Sequence, residues 1–288
     1  MNKDVIAKFM MFLDQHTLTK SVSDQTVSHY TNIDGLEGII SKGSSFWLTD
    51  INYLNDKEEY KKALEYIIKY LNGLANSNDD LINKIIDKVT RIIFANAYVM
   101  SFTKDSDLLS QWRGYSNSNG YSIEFNSTEL FKVIQENKGN IYLFKCLYDD
   151  NEQQRIVKEM CDTTINYIRG FEKDDKTDKV ELFATVVSLI APKFKNSQFH
   201  EEHERRIIYS DDFNNMVNIE TSFRKKNGYL IPFKKLKVNI KEPNLIKSIT
   251  IFCPGSEQML IKGSLERYLA SNGIKTTVKI SQIPFRQI

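Results

Sequence analysis

The chain has 288 residues, of which 41% are hydrophobic and 11% aromatic, so it predicts a folded protein of one large or two small domains and excludes a disordered chain. Its 39 basic and 37 acidic residues give a net charge of +2. This balance excludes a chain-wide charge excess of the kind that coats nucleic acid or anionic membranes, but it leaves room for a local basic patch.

The first half of the chain predicts helices and strands in mixed order. Apolar residues from Val5 to Leu13 recur at helical spacing and predict an amphipathic first helix. Asp34 and Gly35 open a short helix at 36–41, which Gly43 closes. Strands are expected at 27–31, 46–49, 98–103 and 121–125, and longer helices at 56–74 and 81–94.

The second half begins helical and becomes rich in strands. Helices are expected at 127–135, 153–171, 180–190 and 257–271, and strands at 142–148, 206–209, 229–233, 248–252 and 276–280. Because the strands and helices do not alternate strictly, we predict an α+β fold with a mixed or antiparallel β core. We expect a single domain over 1–288, in which helical insertions at about 56–94 and 151–190 form a lobe.

The cysteine pattern and the lack of a long apolar run indicate the cellular compartment. Cys146, Cys161 and Cys253 are widely spaced and odd in number, which indicates buried thiols rather than disulfides or a zinc site. No run approaches the roughly 18 apolar residues of a membrane span, and Lys8 interrupts the apolar N-terminal segment. We therefore expect a soluble, cytoplasmic protein with no membrane partner.

Common catalytic motifs are missing as well. The chain contains no P-loop, no G-x-G-x-x-G, no G-x-S-x-G, no H-E-x-x-H and no EF-hand loop. The missing motifs argue against the common P-loop NTPases, Rossmann enzymes, α/β-hydrolases and zincins.

The first candidate constellation lies on the strand at 27–31. His29 and Thr31 share one face of that strand, because side chains alternate along it. An isolated pair of this kind is most often simply hydrogen-bonded. Here the strand enters a short helix, and the arrangement resembles the opening of ADP-ribosyltransferase-like domains of the His-Tyr-Glu type. The resemblance implies a split β-sheet and contacts from His29 and Thr31 to NAD.

Two further constellations hold polar and aromatic candidates. Asn55 would line a pocket at the start of the helix after it, although Asp56 and Glu59 there also fit a plain capping box. Trp112 is a candidate cofactor contact, although a buried core role is the commoner one for tryptophan. Tyr115 and Tyr121 flank a loop of Ser, Asn and Gly that suits a lid.

The fourth constellation carries the candidate acid. Glu202, Glu204 and Arg206 would share one face if this segment were extended, and an arginine there can orient a carboxylate. A solvated charged turn is the alternative. The nearby His200 and His203 match no standard ligand spacing, so we predict no metal site.

Together these segments resemble the bacterial domain-of-unknown-function family 2971. The family pattern N-D-x-x-E falls at 55–59, S-F-[ST] with W-x-x-Y at 101–115, and G-x-x-I-x-F at 120–125. The pattern K-x-x-x-[FW]-x-x-E-x-E-x-R falls at 195–206, and the close at 281–286 is also similar. The chain departs at Arg205, where the family often has an aromatic residue. This resemblance implies no reaction.

The His-Tyr-Glu resemblance implies ADP-ribosyl transfer from NAD through an oxocarbenium-like transition state. Such a site needs a carboxylate near the ribose and an aromatic ring for nicotinamide. Glu204, or Glu202 in its place, is the candidate acid, and Tyr115 or Tyr121 the candidate ring. The other expected NAD contacts are His29, Thr31, Asn55, Trp112 and Arg206.

The expected function is therefore an ADP-ribosyltransferase or NAD glycohydrolase. Its acceptor would be protein, RNA or DNA, in a bacterial toxin or antiphage effector with an antitoxin or defence-operon partner. A metal-dependent nuclease using Asp56, Glu59, Glu202 and Glu204 stays open. So does a non-catalytic nucleotide or nucleic-acid sensor using the basic runs at 224–226 and 234–237, which are also typical of solvated strand edges.

Overall fold

The computed structural model of the protein describes residues 3–15, 26–41, 43–54, 58–75, 79–92, 97–115, 119–137, 141–171, 178–210, 219–226 and 228–284. Its helices are α1 (Lys3–Gln15), α2 (Ile33–Ile40), α3 (Glu58–Leu74), α4 (Asp80–Thr90), α5 (Leu109–Tyr115), α6 (Ser127–Gln135), α7 (Asp150–Arg169), α8 (Lys179–Ile190) and α9 (Gln258–Ser271). Short 3₁₀ helices span Ile51–Tyr53, Ala191–Lys193 and Ser197–Glu202.

The strands form two sheets. They are β1 (Thr26–Thr31), β2 (Ser45–Asp50), β3 (Ala97–Phe102), β4 (Gly120–Asn126), β5 (Tyr142–Lys145), β6 (Arg205–Ser210), β7 (Thr221–Lys226), β8 (Tyr229–Lys237), β9 (Ile246–Phe252) and β10 (Thr277–Ile280). Sheet A has the order β1-β4-β9-β10, and sheet B the order β5-β6-β3-β2-β8-β7. Sheet B is antiparallel and sheet A includes the parallel pair β9–β10, so the predicted α+β class with a mixed and antiparallel core is confirmed.

The main core lies between facing sides of the two sheets. Phe46, Phe102 and Phe125 meet there edge-to-face, with ring centroids 5.6 to 6.4 Å apart. Helices α2, α6 and α9 add their apolar stripes to the same cluster. Along β4, Tyr121, Ile123 and Phe125 alternate with polar residues and all belong to this core, because every second side chain of a strand points to the same face.

A helical lobe, formed by α1, α3, α4, α7 and α8, packs around a second apolar cluster. It adjoins the other face of sheet B, where Val99, Ile208 and Phe144 contact Leu189 of α8. The two predicted helical insertions therefore contact each other, and α1 joins them. The single-domain organisation stays a prediction. Among the helices described, none combines the length and apolar character needed to cross a membrane.

The sheets separate at β3, and this separation positions the candidate site. Strand β1 touches β3 through an isolated bridge between Ser28 and Thr103. On the other side, β2 pairs with β3 only at Thr49–Val99 and Asp50–Tyr98. The last part of β3 is therefore paired along its β6 edge, whereas among the described residues its opposite edge is paired only at the Ser28–Thr103 bridge that follows the strand.

Several local predictions differ from the structure. Helix α2 starts at Ile33, because the Asn32 side chain accepts the amide proton of Gly35 at 3.0 Å and caps it. Helix α5 and strand β7 were not predicted, and β8 runs on to Lys237. In β7 and β8 frequent lysines conceal the strand pattern. The Asp56 capping box lies outside the described residues.

Candidate functional site

Glu204, immediately before β6, is a buried and fully paired carboxylate, with only 4% of its surface exposed. Arg206 holds it through both oxygens, with Nε donating to Oε1 at 2.7 Å and Nη2 to Oε2 at 3.0 Å. The Lys195 ammonium also donates to Oε2. Arg206 is itself fixed, because its Nη1 donates to the carbonyl oxygen of Pro192 at 2.7 Å.

Lys195 joins the two acids of the E-x-E segment. Its Nζ lies 2.5 Å from Glu202 Oε2 and also contacts Glu204. The expected extended backbone does not hold at Glu202, which ends a 3₁₀ helix, while His203 adopts a left-handed conformation with φ 41°. This turn lets Glu202 and Glu204 meet the same cation. The Glu202 side chain keeps 22% of its surface exposed, so it is the accessible acid of the pair.

The charges around Glu204 keep it ionised. Burial alone would raise the pKa of its carboxyl group, but Arg206 and Lys195 outweigh burial and lower the pKa to about 2. Tyr115, at the end of α5, responds in the opposite direction. Burial of its hydroxyl and the negative charges of Glu204 and Glu202 raise its pKa, while 45% of the residue remains exposed. Tyr115 is therefore a neutral phenol beside two anions.

We call Lys195, Glu202, Glu204, Arg206 and Tyr115 the Glu204 cluster. The segment leading into α5 anchors its tyrosine. The hydroxyl of Tyr30 donates to the Asp105 carbonyl oxygen at 2.9 Å and accepts from the Leu108 amide at 2.8 Å. Asp107 accepts the indole proton of Trp112 at 2.7 Å.

Trp112 itself lies in the interior. It is 1% exposed, stacks on Phe252 with centroids 5.2 Å apart and meets the edge of Tyr30 at 4.5 Å. These contacts place Trp112 where it supports α5, with its ring packed between protein side chains.

His29 lies at the separation of the sheets. Its Nδ1 is 2.8 Å from the carbonyl oxygen of Ser101, and its ring contacts Phe102 at 5.7 Å. A carbonyl oxygen only accepts, so Nδ1 carries the proton and Nε2 is left as an acceptor. Burial, reinforced by the charge of Arg224, lowers the pKa of His29 to about 4 against the opposing effect of the Ser101 hydrogen bond. The imidazole is therefore neutral at physiological pH.

The strand register shows how His29 relates to the Glu204 cluster. Ser101, which accepts from His29, is paired with Arg206 across β3 and β6. Paired residues share a face, so the Ser101 side chain lies on the face of sheet B that carries Arg206 and Glu204. Phe102 points to the opposite, apolar face. His29 therefore contacts the apolar face through Phe102 and the polar edge of β3 through the Ser101 carbonyl.

Thr31 and Tyr121 form a separate pair between β1 and β4. The start of α2 covers Thr31 so closely that a Cβ at Gly35 would lie 1.9 Å from Thr31 Oγ1. Tyr121 is buried in the main core, and this burial raises its pKa. Of the two candidate tyrosines, Tyr115 is thus the accessible one. Asn55 lies outside the described residues.

The structure therefore brings Glu202, Glu204 and Arg206 into one group of ion pairs, whose charges act on Tyr115. It connects His29 to Arg206 through Ser101. It keeps Thr31, Tyr121 and Trp112 apart from this cluster. The spacing of Lys195 within its motif was the signal for its role, but nothing local indicated the approach of Arg224 to His29. Among the residues that the structure describes, no three His, Cys, Asp or Glu side chains are placed to hold a metal ion.

Comparison with known proteins adds a family but no activity. Neither a curated protein nor a solved structure matches the chain. The residues 111–207 match the sequence model of a protein family of unknown function (DUF2971). The matched segment includes Trp112, Tyr115 and the E-x-E-x-R run, so all members of the Glu204 cluster fall within it. Over this segment the chain is similar to that family of unknown function, which supports the resemblance to family 2971 that its motifs indicated.

Proposed function

We propose that the protein cleaves NAD and transfers ADP-ribose to a macromolecule, or to water, at the Glu204 cluster. One observation carries the proposal: the hydrogen bond from His29 to Ser101, the strand pair of Ser101 with Arg206, and the ion pair of Arg206 with Glu204 form a continuous series. The series joins an imidazole near the start of the chain to an acid in its last third. It lies where two sheets separate and β3 has an unpaired edge.

The chemistry needs negative charge beside an electron-poor sugar. When the bond between nicotinamide and ribose breaks, its electron pair leaves with nicotinamide and positive charge develops on the ribose. Glu204 supplies a fixed anion, because its pKa is far below neutral pH. Glu202 supplies the accessible oxygen that accepts a hydrogen bond from a ribose hydroxyl, since Lys195 occupies only one side of its carboxylate.

The remaining groups bind the cofactor. The exposed ring of Tyr115 offers a stacking surface for nicotinamide next to both acids. The Nε2 atom of neutral His29 accepts a hydrogen bond from a ribose hydroxyl. Thr31, under α2, supports the strand that carries His29.

One observation weighs against a metal-dependent nuclease. Both acids of its proposed ligand set that the structure describes, Glu202 and Glu204, are already bonded to Lys195. A second cation at this position would have to displace the lysine ammonium.

The proposal is tested by incubating purified protein with NAD, alone and with cell lysate, and measuring released nicotinamide chromatographically. We expect Glu202→Gln and Tyr115→Ala to lose most of the release while keeping the wild-type melting temperature within a few degrees. Glu201→Gln is the matched control, because Glu201 is the exposed neighbouring acid. The proposal fails if wild-type protein releases no nicotinamide under either condition, or if Glu202→Gln releases as much as the control.

A further inference from the structure

We infer that the hairpin of β7 and β8, together with β2, binds single-stranded nucleic acid, which is the acceptor of the reaction proposed above. The acceptor role rests on that proposed function, whereas the binding does not. The inference depends on where basic and aromatic side chains lie on sheet B.

The charge of the chain is concentrated in this hairpin. Between Thr221 and Lys237 there are six basic residues and no acidic residue, in a chain whose net charge is only +2. A field of one sign within a nearly neutral protein favours a polyanionic partner. Salt bridges described elsewhere on the surface are numerous, as in the pairs Lys84–Asp80 and Lys132–Glu129.

Register places most of these cations on one face. Trp47 is paired with Lys235, Arg224 with Ile231, and Lys226 with Tyr229. Because paired residues and residues two apart share a face, one surface collects the side chains that we call the basic face: Trp47, Arg224, Lys226, Tyr229, Lys235 and Lys237. Phe233 shares this side of the sheet but is buried.

Aromatic rings are interleaved with the cations. Trp47 is 37% exposed and Tyr229 is 67% exposed. Trp47 packs on Phe233 with centroids 4.6 Å apart, and the Lys235 ammonium lies over both rings at 5.9 and 5.8 Å. Accessible rings beside ammonium groups can stack on unpaired bases while the cations contact phosphates.

Protection of a sheet edge does not explain this arrangement. Lysines that guard an edge belong on the outermost strand, which here is β7. Lys235 and Lys237 lie instead on β8, at positions that pair with β2, and Trp47 lies on β2 itself. An exposed tryptophan and tyrosine also do nothing to discourage edge association.

The basic face continues towards the Glu204 cluster. The Arg224 Nη2 donates to Thr49 Oγ1 at 2.8 Å, and its charge acts on His29. Thr49 is paired with Val99 on β3, two residues before Ser101, so the same face reaches the site. The Nε of Arg224 is buried and has no hydrogen-bond partner within the described part of the chain. A phosphate oxygen at this position would accept from it.

Binding is tested by fluorescence anisotropy with a labelled 20-nucleotide single strand of RNA or DNA, the matching duplex, and anionic lipid vesicles as competitor. The test variant is Lys226→Gln/Lys235→Gln/Lys237→Gln. The matched control, Lys84→Gln/Lys132→Gln/Lys158→Gln, removes the same charge from exposed helical lysines. Each phosphate contact to a single strand contributes about 0.7 to the salt slope, so the test variant should lose about 2 and the control none.

Stacking is tested separately with Tyr229→Ala, which should weaken binding by about 5- to 150-fold because each stacked base contributes substantially. Because Tyr229 is exposed, the variant should keep the wild-type melting temperature, which thermal melting checks. The inference is overturned if the hairpin variant binds like the control, if the duplex binds as tightly as the single strand, or if vesicles are bound and oligonucleotides are not.

The acceptor role is tested by incubating the protein with labelled NAD and the oligonucleotide. Label on the oligonucleotide, lost in the hairpin variant while nicotinamide release continues, supports the inference. Nicotinamide release with label only on protein overturns the acceptor role and leaves the proposed function intact. If the oligonucleotide binds but no nicotinamide is released, the proposed function fails, whereas the inferred binding surface is supported.

Discussion

Replacing Glu204 by Gln should destabilise the protein strongly, because Glu204 is the anion between two buried cations. Arg206 is 2% exposed and the Lys195 side chain 9% exposed, so neither can regain full hydration when the carboxylate is lost. Breaking a buried ion pair by removing one partner typically costs about 3–5 kcal/mol. We expect a loss of about 3 kcal/mol or more in the free energy of unfolding at pH 7.

The pKa of Glu204 gives an independent magnitude. Folding lowers it from 4.5 to about 2. At about 1.4 kcal/mol per pKa unit, this shift corresponds to about 3 kcal/mol. Since the folded pKa is the lower one, this stabilisation is complete above pH 4.5 and is lost as pH falls through about 2.

The assay is urea unfolding followed by circular dichroism at several pH values for wild type, Glu204→Gln and Glu202→Gln. The difference in the free energy of unfolding between wild type and Glu204→Gln should fall below about 1 kcal/mol near pH 2, because a protonated Glu resembles Gln. Glu202→Gln should cost at most about 1 kcal/mol at pH 7, since its ion pair is partly exposed. A Glu204→Gln variant within about 1 kcal/mol of wild type at pH 7, or a gap independent of pH, would refute the reasoning.

Three further predictions concern other sites. Lys193 is buried, and its pKa is lowered to about 7. Urea unfolding should therefore show that Lys193→Met raises the free energy of unfolding at pH 7 by up to about 4 kcal/mol. The wild-type protein should gain stability as the pH rises from 7 to 10.5, whereas the variant should not. Gly35→Ala should cost about 1–3 kcal/mol, and Thr31→Ala should restore most of it in a double-mutant cycle, because the added Cβ meets Thr31 Oγ1. Asp107→Ala should speed hydrogen exchange at the Gln282 amide, which donates to Asp107 at 3.0 Å, and a rate equal to wild type would contradict this role.

Local patterns predicted the parts of the fold that local physics determines. The strands expected at 27–31 and 98–103 match β1 and β3 to within one residue at each end. Helix α5 was missed because its seven residues hold too few apolar positions to show a helical period. The hairpin of β7 and β8 was missed, although the Asn227-Gly228 dipeptide between Lys226 and Tyr229 is a strong sequence signal for a two-residue turn.

The contacts in the candidate site were likewise only partly predictable from the sequence. The pairing of Glu204 with Arg206 could be predicted, because residues two apart on a strand share a face. The bridge from Lys195 to Glu202 could not, since it depends on the left-handed turn at His203. The two acids of one motif consequently differ in exposure, and the turn at His203 determines which of them is accessible.

The separation of the sheets explains why the imidazole and the acid cluster occur together. A strand that loses a neighbour leaves carbonyl groups without partners, and burying such a group is costly. His29 donates to the Ser101 carbonyl and satisfies it, but the same burial and the nearby Arg224 keep the imidazole neutral. The unpaired edge of β3 thus leaves a carbonyl group that His29 satisfies, and it places the Nε2 atom of His29 beside the strand as a neutral acceptor. The strand pair of Ser101 with Arg206 and the ion pair of Arg206 with Glu204 connect this edge to a permanent anion. A neutral acceptor and a fixed anion, connected through one strand pair, are the two electrostatic elements that the proposed cleavage of NAD requires.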